Sequence, residues 1–187
     1  MDKFLSRYLV RGFIDGILSS LGVVIGASAA IGLTTTQETL SVIIAAGVGG
    51  GIANGFSNIL GASVGEKIVK EIKLTEIERA MLTKRGLKGT SIDKELEEKI
   101  LKSGIYDGIA TFGGALIPVS PFIIGSFFTA ETSILLYVSI TLSLCLFFIL
   151  GVYVGRLAKE SMILSGLKLV TFGVITAVIA TLIRIAL

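Results

Sequence analysis

The sequence has no histidine and only one cysteine, Cys145, among 187 residues. A lone cysteine inside an apolar run cannot form an intrachain disulfide, and it reads as a packing residue. Without histidine or paired cysteines, zinc-type and copper-type centres have no ligand set. A metal held here must rest on carboxylates, amide or backbone oxygens, or methionine sulfur. Charge is also scarce. Only 17% of residues are Asp, Glu, Lys or Arg, and one stretch holds most of them. No phosphate-cradling glycine loop occurs, so nucleotide-driven chemistry is excluded. No nucleophile–base set stands out, so no enzymatic activity is expected. The sequence pI is about 9.0, yet no aromatic–basic interleaving suits a nucleic acid, and none is expected as a partner. A cleavable signal peptide is not expected either. Polar and basic residues 1–11 lead into an apolar run too long and too poorly ended for one.

What is present is apolar. Hydrophobic residues make up 52% of the chain, and mean hydropathy is +0.88. Five runs predict membrane-spanning helices at about Tyr8–Ile31, Thr39–Gly65, Gly104–Phe128, Thr132–Leu157 and Leu164–Leu187. Each has about 24–27 residues, enough to cross a hydrocarbon core of roughly 30 Å with some tilt. The predicted fold is an all-α membrane protein with five transmembrane helices. Its organisation is a first transmembrane hairpin over 1–65, an amphipathic helical segment over 66–102, and a second hairpin plus a fifth span over 103–187.

Basic residues set the expected orientation. Lys3, Arg7 and Arg11 precede the first span, ten Lys or Arg lie between Glu66 and Lys102, and Arg156, Lys159 and Lys168 flank the connection between spans four and five. The opposite loops, near Gln37 and Ala130, contain no Lys or Arg. The N-terminus and charged segment are therefore expected in the cytoplasm and the C-terminus outside, with Arg184 as the exception. No targeting extension is seen, which suits a prokaryotic plasma membrane. Within the charged segment, Ile68, Ile72, Ile77 and Met81 (with Leu82) recur at nearly helical spacing. Gly86 and Gly89 break the pattern, and Thr90 or Ser91 can cap a second helix with Asp93 and Glu95 in its first turn. Ile92, Leu96 and Ile100 give that helix its apolar stripe. Two amphipathic cytoplasmic helices joined by a glycine turn are expected, packed on each other, on the membrane face or on a second subunit.

An internal repeat is visible. Gly12-Phe13-Ile14-Asp15-Gly16-Ile17 recurs as Gly104-Ile105-Tyr106-Asp107-Gly108-Ile109, and Ile59-Leu60-Gly61-Ala62-Ser63-Val64-Gly65 as Ile149-Leu150-Gly151-Val152-Tyr153-Val154-Gly155. The offsets, Gly12 to Gly104 and Ile59 to Ile149, are 92 and 90 residues. This suggests a duplicated two-helix hairpin with a fifth helix added, and transporters place sites at repeat interfaces.

Asp15 is the sharpest candidate. It lies about two turns into the first span, roughly 10 Å from its end. A carboxylate there costs several kcal/mol unless paired, hydrated or protonated. The structural alternative is an intrahelical pair with Arg11. Asp107, its repeat mate, reads as an interfacial or capping residue. Asn54, Ser57 and Asn58 bring amides and a hydroxyl to one side of the second span, to line a cation path or to bond between helices. Gly47, Gly51 and Gly55, with Gly61/Gly65 and Gly151/Gly155, predict close helix packing within one chain or across a dimer. Pro118 and Pro121 must remove backbone hydrogen bonds from the third span.

Three of these segments resemble the vacuolar iron transporter family, in the form of a prokaryotic member. Arg11 to Ile17 followed by Gly22-Val23-Val24-Ile25-Gly26-Ala27 is similar to the family's Asp-Gly opening and Val/Gly run. Ser57 to Gly65 resembles its Ser-Met-x-x-Gly-Glu-Tyr segment, and Gly113-Gly114-Ala115-Leu116-Ile117-Pro118 with Pro121-Phe122 resembles its Gly-Ala-Leu-x-Pro-x-x-Pro-Phe. The resemblance implies proton-coupled export of Fe²⁺ or Mn²⁺ from the cytosol by a homodimer whose paired first spans form the path. The metal is then transported substrate, and no cofactor is expected. It implies Asp15 as the transport carboxylate and metal gathering by Glu71, Glu78, Glu97 and Glu98. The residues themselves add Asn54 and Asn58 as oxygen ligands and Glu66 along the pathway, and Met81 as a metal ligand near the cytoplasmic acids. The departures are Asn58 at the family's Met, Ala62 at its Glu and Ser63 at its Tyr, with Glu66 the nearest acid. Alternatives are a non-transporting membrane scaffold or regulator that keeps the fold, and a transporter of another small solute.

Overall fold

The structure, a computed structural model, describes residues 3–30, 37–81, 86–128 and 130–186. Leu82 and the loop before Gln37 lie outside them, as do the side chains of Lys3, Gln37 and Arg184. The described residues form five α-helices: α1 Lys3–Ala30, α2 Gln37–Ala80, α3 Ser91–Gly125, α4 Thr132–Ala158 and α5 Met162–Ala186. All five are long and apolar enough to cross a membrane. α1 packs against each of the other four, and α5 lies outermost against α4 and α1.

The charged segment departs from the expectation of two separate helices. α2 runs unbroken for 44 residues, roughly 66 Å at 1.5 Å per residue, more than twice a hydrocarbon core of roughly 30 Å. α3 likewise begins at Ser91, far ahead of the predicted third span. The amphipathic pieces are thus extensions of the second and third spans. Gly65 and Gly104 fall at these two boundaries without stopping either helix, because a lone glycine costs a helix only about 1 kcal/mol and no proline accompanies it.

The break falls where the glycines predicted it. Gly89 has a φ of 83°, which a side chain would resist. Thr90 occupies the N-cap position of α3, but its hydroxyl donates back to the Leu87 carbonyl at 2.6 Å instead of capping the helix. The Gly89 N–H is taken by Asp93 Oδ2 at 2.7 Å, and the Leu87 N–H by Glu78 Oε1 at 2.7 Å.

The extensions dock through a face the apolar pattern did not mark. Ile68, Ile72 and Met81 are exposed, as is Ile92. Lys70 and Leu74, one turn apart on the opposite face of α2, are the buried residues. Lys70 Nζ pairs with Asp93 at 2.6 Å and Glu97 at 2.9 Å. The Gly89 N–H and the Lys70 ammonium hold the Asp93 carboxyl below its ordinary value. Asp93 and Glu97 in turn raise Lys70.

Within the bundle, glycines set the approach of α1, α2 and α3. A Cβ on Gly16 would fall on the α3 backbone, 2.8 Å from Ala115 N and 2.9 Å from Thr111 C. On α3, Gly108 meets the Gly55 carbonyl of α2 at 2.7 Å in the same sense. Gly47, Gly51 and Gly55 therefore face α3 inside one chain, whereas Gly61 and Gly65 face open space. Gly151 and Gly155 receive α5 at Gly166 and Ser165.

α3 stays helical through Pro118 and Pro121. Pro121 cannot donate to the Ile117 carbonyl one turn earlier, and the Ser120 hydroxyl takes that acceptor at 2.8 Å. Ser139 of α4 donates to the Pro118 carbonyl at 2.6 Å. Beside this segment lies the core: Leu21, Val24 and Ile25 of α1, Leu40 and Ile43 of α2, Val119 and Phe122 of α3, Leu135 and Leu136 of α4. It sits at the end of the bundle remote from the charged extension.

Candidate functional site

Three helices each contribute a polar pair at i, i+4 spacing, which puts both members on one helix face. These are Asp15 and Ser19 on α1, Asn54 and Asn58 on α2, and Asp107 and Thr111 on α3. The Asn54 side-chain amide donates to Asp15 Oδ2 at 3.0 Å and to Ser19 Oγ at 2.9 Å. The Asn58 amide donates to the same Asp15 oxygen at 2.7 Å and to Thr111 Oγ1 at 2.8 Å. Thr111 donates in turn to the Asp107 main-chain carbonyl at 2.8 Å. Such interhelical bonds are worth about 0.6 kcal/mol each on average in a membrane bundle. They fix geometry more than they stabilise.

Asp15 is half-buried within its span. Among the described residues no lysine or arginine forms an ion pair with it. Arg11, its expected intrahelical partner, instead crosses to Asp107 Oδ2 on α3. This corrects both alternatives drawn from the sequence. Asp107 is not a cap: it lies inside α3 and is fully buried, and its Oδ1 has no hydrogen-bond partner. The reason is the early start of α3, which leaves Asp107 deep in a helix. Gly12 permits the contact, since a Cβ there would stand 3.0 Å from Asp107 Oδ1 and from Thr111 Oγ1.

Asp15, Asn54 and Asn58 thus come together. Glu66 does not join them. It lies two turns along α2 from Asn58, where it accepts from the Tyr8 hydroxyl and pairs with Arg7 at 3.2 Å. The remaining candidates are dispersed over the extensions. Glu71 pairs with Lys88 at 3.7 Å, Glu97 with Lys70, and Glu98 with Lys102 at 3.0 Å. Glu78 closes the turn through Leu87, and Met81 is exposed. Among the described residues, no three His, Cys, Asp or Glu side chains come close enough to share a metal ion.

Ser19 and Thr111 are members of the site that the sequence reading passed over, and Arg11 was read only as a partner of Asp15. The signal for the first two was available: Ser19 and Thr111 each stand one helical turn after a carboxylate inside a span.

A family model described as the VIT family matches residues 66–184. The chain belongs to the VIT, or vacuolar iron transporter, family. An uncharacterized protein of Methanocaldococcus jannaschii is 44% identical over 180 residues, which cover 96% of this chain and 88% of that protein. The chain is therefore a multi-pass membrane protein of a metal-ion transporter family. In this VIT-family chain, Ala62 is buried at 4% exposure. Its neighbour Ser63 lies directly against Gly104 of α3. The positions of the expected Glu and Tyr thus serve the α2–α3 contact.

Proposed function

We propose that the chain exports Fe²⁺ or Mn²⁺ from the cytosol in exchange for protons, with Asp15 as the charged ligand. One observation carries this reading: Asp15 is a carboxylate inside a span, held by two neutral carboxamides and left without a cationic partner among the described residues. An uncompensated anion there is costly, and a cation relieves the cost. Asn54 and Asn58 turn their amide oxygens to the ion when it arrives, and oxygen ligands suit Mn²⁺ as well as Fe²⁺. Binding requires a deprotonated Asp15, and protonation from the far side helps release the ion.

The excess of Lys and Arg on the extensions supports a cytoplasmic extension in the plasma membrane. In this reading Glu71, Glu78, Glu97 and Glu98 gather metal by exchanging their present partners for the ion. Met81 is accessible on the same segment, and Glu66 lies on the way to Asp15. The unit is a homodimer with the first spans paired.

Purified protein in liposomes tests the proposal. Mn²⁺ and Fe²⁺ flux should be coupled to opposite proton flux. The near-isosteric Asp15→Asn should lower metal affinity about 10–100-fold or more. Normal flux in that variant would remove Asp15 from the path. No flux of any divalent ion in the unaltered protein would favour the scaffold alternative.

A further inference from the structure

Arg11 stands within reach of two carboxylates and can neutralise only one. It pairs with Asp107 across the helix contact. Asp15 follows it by four residues on α1, a spacing that brings side chains together on a helix face. Asp107 is fully buried with Oδ1 unpartnered, while Arg11 is 54% exposed. Arg11 also lines a cavity of about 550 Å³ between α1 and α4, bounded by Arg7, Val10 and Ile14 on one side and Val154 and Leu157 on the other. The exposed guanidinium therefore has room to move beside an open cavity. The charged groups that face Asp107 are Arg11 and Asp15 of α1. From α2, Asn58 reaches the Asp107 main chain through Thr111, and it is uncharged.

Building on the transport reading above, we infer that Arg11 passes between Asp107 and Asp15 and thereby couples a proton on Asp107 to the metal on Asp15. The bookkeeping is simple. Two anions and one cation leave the cluster one positive charge short of balance. A divalent ion on Asp15 satisfies that carboxylate, repels Arg11 and keeps it on Asp107, the pairing the structure holds. When the ion leaves, Asp15 is the bare anion and draws Arg11 back one turn. Asp107, buried and stripped of its partner, cannot remain ionised at tolerable cost. It takes a proton onto its carboxyl oxygen from the solvent that reaches the exposed Arg11. Metal on Asp15 and proton on Asp107 thus exclude each other, although no ligand is shared. Asp107 and Arg11 are positioning residues in this scheme and do not touch the metal.

The experiment is calorimetric titration of full-length protein in detergent with Mn²⁺, in two buffers of different protonation enthalpy. This reads protons released per ion bound without requiring transport. Asp107→Asn and Arg11→Gln should each release about one proton fewer per Mn²⁺ than the unaltered chain, because metal binding displaces protons only from groups that hold them. Arg11→Lys, which keeps the charge, should retain the release. Arg11 is half-exposed, so its variants test the idea even if Asp107→Asn does not fold. Unchanged proton release in both neutralised variants would overturn the inference and leave the transport reading standing. Loss of Mn²⁺ binding in both would also overturn it, by making the pair part of the metal seat. Failure of the unaltered chain to bind Mn²⁺ would overturn the transport reading itself, and this inference with it.

Discussion

Asn58 holds two neighbours with one amide, the Asp15 carboxylate and the Thr111 hydroxyl. By resemblance it stands where the family's second span carries methionine, and in the proposed site a hard amide oxygen then replaces a soft thioether. Softer ligands favour Fe²⁺ over Mn²⁺. Asn58→Met should therefore make anaerobic Fe²⁺ a stronger competitor of Mn²⁺ uptake in liposomes; an unchanged competition curve would place Asn58 outside the ligand set. The same change removes two interhelical bonds, so bundle stability should fall by about 1 kcal/mol, read as a lower melting temperature in detergent. Asp15, Asn54 and Asn58 were legible in the sequence because polar residues one turn apart in an apolar span have few places to go. Asp107 was not, because its environment is set by where α3 begins. The sequence marks the change from charged to apolar composition, and that is a different boundary from a helix end. Nor can a sequence tell that Arg11 prefers a carboxylate on another helix to the one on its own.

Helix pairing depends on a few missing methyl groups. Gly16→Ala puts a Cβ onto the α3 backbone at Thr111 and Ala115, where backbone cannot give way. It should destabilise by about 1–3 kcal/mol. Gly61→Ala meets nothing within 4 Å and should be neutral or up to about 1 kcal/mol stabilising through helix propensity. Thermal unfolding of both variants in one detergent gives the comparison, and equal effects would dispose of the close-packing argument. The glycine stripe on α2 was readable from sequence, but its partner was not, since spacing is the same for a contact within a chain and between chains. The extension poses the complementary case. Its apolar stripe at Ile68 and Ile72 predicted a docking face, yet the docked face is Lys70 and Leu74. Two charged partners from α3 made the polar side the buried one. That tie has a pH signature. Asp93 is held low, so its contribution is complete above the ordinary carboxylate value of about 3.9 and is lost as pH falls below that through the lowered value. Lys70 is held high, so its contribution is complete below about 10.4 and is lost only as pH rises through the raised value. Amide protection over 66–80 and 91–103, taken relative to the intrinsic exchange rate at each pH, should stay high at neutral pH and fall in acid. Lys70→Met should remove much of that pH dependence, and acid sensitivity unchanged in this variant would refute the assignment.

Across the whole molecule the two ends of the bundle differ. The end with the extension opens onto charged groups and the Arg11 cavity. At the other end, Leu21, Val24 and Ile25 of α1 close against Ile43, Val119 and Phe122, all fully buried. Leu21 follows Asp15 by six residues, about 9 Å along α1, so the apolar layer begins less than two turns beyond the carboxylate. Water and ions cross such a layer only if it opens, because nothing in it replaces their hydration. The Asp15 site should accordingly be reached from the face bearing the extension and shut from the opposite face. A cysteine at Asn54, in a chain whose exposed Cys145 is replaced by alanine, reports on this. A membrane-impermeant thiol reagent should label it from the extension face and leave it unlabelled from the other. Leu21→Ala in the same background thins the layer, at a cost of about 2–5 kcal/mol in stability, and should admit label from both faces. If the unaltered layer already passed the reagent equally from either face, the bundle would be an open pore. Exchange of metal for protons would then have no barrier to work against.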